Sequence, residues 1–323
     1  MDISAIIAEF GAYYIKSDSN MSRLVKQLNQ KSITEGAFTT IVTDDTLWRA
    51  SETRMTRVLQ PFQKQWTPIG VLSFLPVAIQ NYKMKIDYQD YPDDLEATWL
   101  GWLTDNSLDR KEWPFVRWFI ESELLPQAKE DYEMNEIYNG VYAAPTPGTA
   151  GAAGTTMDGI KIIINNQVDA GRITPIITGT VPTDPVDFLE YIEQFGDNIN
   201  QKYWGIPMQL VMNPTLVRRF FRGYRKEYGK DTNYSENKNG AVDLTNLTIF
   251  SAPSHGSSNK IWCTPKSNAI RLVKKSQNMN AVRVENVDRL VKMYSDWSSG
   301  VGFVIPELVF TNDQDLNPEP DED

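Results

Sequence analysis

His255 is the one histidine of the chain, and it lies in Ser254-His255-Gly256-Ser257-Ser258. A histidine beside serines invites a nucleophilic reading, in which the imidazole takes the proton of an attacking hydroxyl. That chemistry needs a nucleophile held at hydrogen-bond distance and a third group to orient the base. Adjacent residues in a polar turn do not provide this, and no G-x-S-x-G turn occurs. His255 is therefore expected at the surface. Cys263 is the single cysteine, so an internal disulfide is impossible and the usual zinc sets lack ligands. The pairs Asp44-Asp45 and Asp93-Asp94 have the carboxylates for hydrolysis or weak cation binding, but paired aspartates in turns also bond their own backbone. No EF-hand spacing and no phosphate loop of the G-x-x-x-x-G-K-[ST] or G-x-G-x-x-G kind is present. No catalytic residue, cofactor or metal is assigned, and the chain is expected not to be an enzyme.

Arg218, Arg219, Arg222, Arg225 and Lys226 are the one concentrated basic feature. On a helix opening at Pro214 they take the face opposite Leu216, Val217, Phe220, Phe221 and Tyr224. Such a face is solvated, or it contacts nucleic acid or an acidic partner subunit. The net charge of −10 argues against a strong nucleic-acid binder. More than half of it sits in the last eleven residues, in Asp313, Asp315, Glu319, Asp321, Glu322 and Asp323. That tail reads as solvated and flexible, and the remaining body is nearly balanced. Contact with double-stranded DNA is expected to be non-specific at most. No window holds the roughly 18–20 apolar residues of a membrane span, and no secretory signal opens the chain, so a soluble protein without a membrane partner is expected.

The elements that would carry these residues follow from periodicity. Ile3, Ile6, Ile7, Phe10, Tyr14 and Ile15 recur at helical spacing, and a second helix is expected at Leu47 to Gln60. From Trp66 the sequence turns β-branched and aromatic. Tyr82, Met84, Ile86 and Tyr88 alternate with Lys83, Lys85, Asp87 and Gln89, which predicts one face of a long hairpin with no obvious local cover. Asp109 and Glu112 fit a capping box for the strongest helix, with Phe115, Phe119, Leu125 and Tyr132 inward, Pro126 as a kink or split, and Glu121, Glu123, Glu130, Asp131, Glu133 and Glu136 on the opposite face. Residues 143–156 are an Ala/Gly/Thr/Pro loop. An α/β region follows: a strand at Gly159 to Ile164, a helix capped by Asp184-Pro185, a strand at Met208 to Met212, a helix from Asn213-Pro214 to Gly229, and strands at Leu247–Phe250, Lys260–Thr264 and Ala269–Val273. The last segment is strand-rich, with a break at Gly300-Val301-Gly302.

The order of these features resembles the tailed-bacteriophage major capsid proteins of the Hong Kong 97-like fold. ESELLPQAKEDYEMNEIYNGVYAAP is similar to the end of that family's spine helix, MQLVMNPTLVRRFF to the strand and helix of its axial domain, and SSGVGFVIPELVFTND to its closing strands. The likeness covers roughly residues 60 to 313. It implies an α+β chain with an N-terminal arm at 1–63 and an extended β-hairpin loop at 64–108. The spine helix and its exit, in the peripheral domain, would be 109–157, the axial domain 158–275, and 276–323 the return to the peripheral domain with the acidic tail. The implied function is structural: self-assembly into pentamers and hexamers of an icosahedral or prolate head enclosing the genome, in a virion assembled in the bacterial cytoplasm.

Implied partners are other copies of the chain, separate scaffolding and portal proteins and decoration proteins. The chain shows no evident extra N-terminal scaffolding segment to be cleaved, so a separate protein or the arm itself is expected to scaffold. Tyr82, Met84, Ile86 and Tyr88, with Lys83 and Lys85, are the expected inter-subunit contacts. Some relatives join a loop lysine to an asparagine, but nothing selects Lys83 or Lys85 for that. Deleting residues 78 to 95 is expected to leave a folded subunit that fails to assemble. The alternatives are an encapsulin-like nanocompartment shell, a tail-tube or connector protein, and a hydrolase using Asp44, Asp45, Asp93 or Asp94.

Overall fold

The computed structural model describes residues 3–15, 18–28, 30–109, 112–229, 240–275, 280–288 and 290–317. Glu319, Asp321, Glu322 and Asp323 of the acidic end lie outside them. The chain is α+β, with helices and sheets mixed along its length. It opens with α1 (Ile3–Phe10), a wide π turn (Gly11–Ile15) and α2 (Asp18–Leu28). Ile6, Phe10, Tyr14 and Leu24 are buried, so the stripe read from Ile3 onward packs as a helix face should.

Strands β1 (Thr39–Val42), β2 (Leu47–Met55), β3 (Leu72–Gln80) and β4 (Tyr82–Asp90) follow. The helix expected from Leu47 is instead β2, because Leu47 to Met55 pair residue for residue with Gln80 to Leu72. Pairing with a distant segment outweighs local propensity here. The long hairpin is thus β2–β3, spanning residues 47–80 across the boundary expected at 63/64. At Asn81 the chain leaves it: the Asn81 amide donates to the Thr46 carbonyl at 2.8 Å, and β4 joins a different sheet.

The alternation in β4 is real, but its cover is the chain itself. Met84 is buried in a cluster with Tyr138, Ile160, Trp262 and Phe303. Tyr88 packs on Phe119 with ring centroids 4.9 Å apart and planes tilted by 37°, and Tyr82 lies 4.9 Å from the Tyr142 ring and donates to Asp158. Ile86 is half-buried, while Lys83 and Lys85 face outward. The Tyr82, Met84, Ile86 and Tyr88 face is thus covered at least in part within the subunit, and deleting residues 78 to 95 would remove the whole of β4, an edge strand of its sheet.

After α3 (Pro92–Asp105) comes one helical run: α4 (Phe115–Trp118), a π turn (Phe119–Leu124), α5 (Leu125–Asp131) and a second π turn (Tyr132–Glu136). It spans about 33 Å at 1.5 Å per residue. The run starts after Pro114, later than the Asp109 capping box, because the Asp109 carbonyl closes a separate turn by accepting from the amides of Glu112 and Trp113. Pro126 does not split it, since the preceding π turn already displaces the hydrogen-bond ladder where the proline lacks a donor. Three acids of the supposedly solvated face are engaged. Glu121 meets Arg23 and Arg117, buried Glu133 accepts from Thr34, and buried Glu136 accepts from the amides of Gly154 and Thr156. Those last two bonds close the 141–157 loop back onto the helix end.

The segment from Gly159, expected as a strand, is helix α6 (Ile160–Asp169). Ile160 and Ile164 are both fully buried, four residues apart on one helical face. Helix α7 (Pro185–Asp197) starts where the Asp184 side chain accepts from Val186. β5 (Met208–Met212) leads to α8 (Pro214–Tyr228), capped by Asn213 accepting from Leu216. β6 (Leu247–Ser251), β7 (Trp262–Thr264), β8 (Ala269–Val273), β9 (Asn280–Val287), β10 (Leu290–Phe303) and β11 (Phe310–Thr311) complete the chain. Besides the two-stranded β2–β3 ribbon, one sheet has the order β11-β7-β5-β6 and another β1-β8-β10-β4 with β9 also on β10.

No break occurs at Gly300-Val301-Gly302, which lie inside β10. A Cβ on Gly300 would collide with the Gln80 carbonyl, and one on Gly302 with the Ile79 side chain. The glycines make room for the root of the hairpin, where Val77 and Ile79 pack with Ile270 and Leu272. The first part of the acidic tail is also fixed. Asp315 accepts from Ser258 and Tyr138, and buried Lys260 donates to Asn165 at 3.0 Å and to the Gln314 carbonyl at 2.9 Å. Burial pushes the Lys260 ammonium down to about 8.

Candidate functional site

The residue types that first pointed to chemistry turn out to serve packing. His255 is buried rather than at the surface: its ring stacks on Tyr138 at 4.1 Å and its Nε2 accepts from Trp262 Nε1 at 3.0 Å. A ring enclosed by aromatics has no water to stabilise its cation, and burial lowers its pKa to about 3. Cys263 is buried in β7, and burial pushes its thiol far above the ordinary value. Asp45 accepts from Thr43, Asp44 meets Lys275 at 3.4 Å, and Asp93 and Asp94 occupy the first turn of α3, where the helix dipole favours carboxylates. Among the described residues no three His, Cys, Asp or Glu group to hold a metal, and no helix is long and apolar enough to cross a membrane.

The basic face of α8 is where the sequence placed it. Arg218, Arg222 and Arg225 are exposed. Arg219 is half-buried, donates to the Pro182 carbonyl at 2.6 Å and lies 5.4 Å from the Phe188 ring centre. Lys226 reaches Asp184 at 3.5 Å.

The surface that stands out was not singled out from sequence. The β2–β3 ribbon leaves the body beyond Val77, and its connection is shaped by its own bonds: Thr56 amide to Val71 carbonyl at 3.1 Å and Gln60 Nε2 to Thr67 carbonyl at 2.6 Å. Its side chains point outward. Phe62 is 93% exposed, Trp66 92% and Leu59 84%, and Met55, Val58, Val71, Leu72 and Phe74 are all exposed. A patch of this kind on a protein surface marks an interaction site, since covering each large side chain is worth about 1.5–3 kcal/mol. The sequence between Glu52 and Asp87 contains no acidic residue but carries Arg54, Arg57 and Lys64, all exposed. The tip is apolar and basic. A sequence signal existed: apolar residues without period between two pairing strands, TRVLQPFQKQWTPIGV.

No family model matches the chain, and no curated protein matches it. Solved structures do. A chain of the procapsid of satellite phage P4, with its size determination protein, superposes with a TM-score of 0.57 at 9% identity, covering 98% of both chains. The capsid of Myoviridae phage XM1 gives 0.53 at 13%, covering 88% of this chain and 93% of that one. The capsid of an empty GTA particle gives 0.52 at 11%, covering 89% and 91%. The chain therefore has the fold of phage capsid proteins along nearly its whole length.

Proposed function

We propose that this chain is a structural shell subunit, the major capsid protein of a tailed bacteriophage, which assembles with copies of itself into pentamers and hexamers of a closed head around the genome. The observation that carries the proposal is the exposed apolar hairpin of residues 47–80, on a chain whose fold is that of capsid proteins. A two-stranded ribbon is marginal in water by itself, and one lined with Phe62, Trp66 and Leu59 gains its cover from another molecule. Many weak copies of that contact close a shell by avidity.

In this reading the Hong Kong 97-like anatomy applies with a shifted boundary. The arm is about 1–46, the extended loop 47–80, the spine helix 115–136, the axial domain about 158–275, and the peripheral domain is completed by the strands after residue 280. The hairpin's Arg54, Arg57 and Lys64 find their complement in Glu123, Glu130 and Asp131, which are exposed on the long helix, so the hairpin of one copy lies along the helix of the next. The location is the virion; scaffolding and portal proteins are the partners such a shell requires.

Negative-stain imaging of the purified particle tests this, beside a variant in which residues 58–69 are replaced by a short Gly-Ser turn. Closed shells from the natural chain and folded, unassembled subunits from the variant are expected. Tubes or rings would instead favour a tail-tube or connector protein, and non-nucleic cargo inside closed shells a nanocompartment. A monomer that turns over a substrate would overturn the reading.

A further inference from the structure

Helices α7 and α8 and strands β5 and β6 share one core, with Phe188, Ile192, Phe220 and Leu247 inside. Two faces of that lobe carry opposite charge. Arg218, Arg222 and Arg225 are exposed on α8. Successive helical residues advance by about 100°, so Arg222 stands roughly 160° round the helix from buried Phe220. Three guanidiniums side by side repel one another. An aromatic face flanked by carboxylates relieves them, because a guanidinium stacks on the ring while its N–H groups meet the acids.

The second face has both parts. Glu190, Glu193 and Asp197 stand three and four residues apart on α7, hence on one side of it. Burial, and then Asp243, Glu190, Asp197 and Glu227 around it, raise the Glu193 carboxyl above its ordinary value. Among the described residues no ion pair neutralises any of these five acids. Asp197 also lines a cavity of about 210 Å³ with Ile199, Trp204, Met208 and Leu247. Trp204 is 48% exposed, and Leu244, also on the cavity, stands wholly in solvent. Leu244 has a φ of +58°, which a bulky side chain rarely adopts, and strain of this kind gathers at surfaces that bind.

The two faces point in different directions. Glu227 is on α8 itself, yet roughly 140° round the helix from Arg222, and Gly223 between them is sealed against Pro185. A single packed lobe cannot turn its arginines onto its own acids, so the two meet only between copies. We infer that the arginine face of α8 docks, head to tail, on the Trp204 cavity and its acidic rim in the next copy. A contact between two different patches repeats around an axis and closes a ring. The inference rests on the shell reading and adds which surfaces make its rings.

Two single-cysteine variants of the full chain, Arg222→Cys and Asp197→Cys, test the contact when mixed under mild oxidation and mapped by mass spectrometry. Cys263 is buried and stays a thiol, so a disulfide can only join two chains. A 222–197 bond is expected several-fold above 222–222 and 197–197 bonds, with its rate falling at high salt. Like pairs in excess, or a yield no higher than with Ser51→Cys in place of Arg222→Cys, would overturn the inference. So would a higher yield with Arg57→Cys, which would seat the hairpin tip there instead. Charge reversal gives a second measurement. Arg218→Glu with Arg222→Glu, and Glu190→Lys with Asp197→Lys, are each expected to stay folded and to lose association in sedimentation velocity. Mixing the two double variants puts opposite charges back at every contact and is expected to restore association; free subunits in the mixture would count against the inference. If both double variants form normal particles, the inference fails and the shell reading stands. If the natural chain never associates, both fail.

Discussion

Gly302 lies against the side chain of Ile79, and two residues earlier Gly300 lies against the carbonyl of Gln80. The two glycines share one face of β10 because side chains alternate along a strand, and the root of the exposed hairpin rests in the groove they leave. Gly300→Ala puts a methyl group where the Gln80 backbone already is. The expected outcome is a loss of about 1–3 kcal/mol of unfolding free energy, read from denaturant titration, with assembly lost at temperatures where the subunit stays folded, because the hairpin is tilted off its seat. Unchanged stability and normal particles would show that the close approach is not needed.

The hairpin tip should behave in the opposite way. Phe62→Ser and Trp66→Ser remove side chains that touch solvent in the single subunit, so thermal stability should stay within about 0.5 kcal/mol of the natural chain. Sedimentation velocity should nonetheless show free subunits in place of particles. Serine at Phe115 or Trp118, which are buried, should unfold the subunit instead, and the contrast separates interface residues from core.

His255 gives a pH dependence with a definite sign. Burial lowers its pKa to about 3 from the ordinary 6.5, so between those values the unfolded chain binds a proton that the folded chain refuses. Its stabilising contribution is fully present above pH 6.5 and is lost as the pH falls toward 3, at up to about 1.4 kcal/mol per pH unit. His255→Gln keeps an acceptor for the Trp262 indole without titrating. Urea unfolding at pH 7, 6, 5 and 4 should give a shallower decline for that variant than for the natural chain; parallel curves would mean the ring is protonated in the fold.

Glu136 joins the long helix to the 141–157 loop through two backbone amides, at 2.8 Å from Gly154 and 3.0 Å from Thr156. Glu136→Gln leaves one acceptor and turns the other into a donor facing a donor. A cost of about 1–3 kcal/mol follows, with faster proteolysis in residues 143–153 as the local readout.

What the sequence made legible was mostly local. Asp184 and Asn213 cap α7 and α8 as read, because a cap is a matter of three adjacent residues, and the alternation of Tyr82 to Tyr88 is a true strand. What failed depended on partners far along the chain. Nothing within 47–60 says that Leu47 to Met55 will pair with residues 72–80. The β-branched run Ile162-Ile163-Ile164 is too short for its period to separate helix from strand. The face of Tyr82 and Tyr88 looks open in the sequence because its covers, Tyr142 and Phe119, lie more than thirty residues away. His255 looks exposed in the sequence because its neighbours are polar, while the aromatics that bury it, Tyr138 and Trp262, come from a helix end and a strand. The Phe62 and Trp66 surface fell into a gap between two wrongly drawn elements.

The seat of the hairpin can be tested by exchanging charges. Arg54, Arg57 and Lys64 lie on a segment with no acid between Glu52 and Asp87, and Glu123, Glu130 and Asp131 are exposed on the long helix. If these two surfaces meet between copies, Arg54→Glu with Arg57→Glu places like charges across the contact and removes assembly. Glu130→Lys with Asp131→Lys should do the same alone. Each exposed pair is worth under about 1 kcal/mol, but a shell repeats the contact in every subunit, so small pairwise losses multiply. The combined four-residue exchange restores opposite charges and should restore particles, most visibly at low salt, where the Debye length is longest. Rescue by the combined variant is the outcome that no effect on folding alone produces. Failure of rescue, with both double variants folded, would place the hairpin on some other surface of its neighbour.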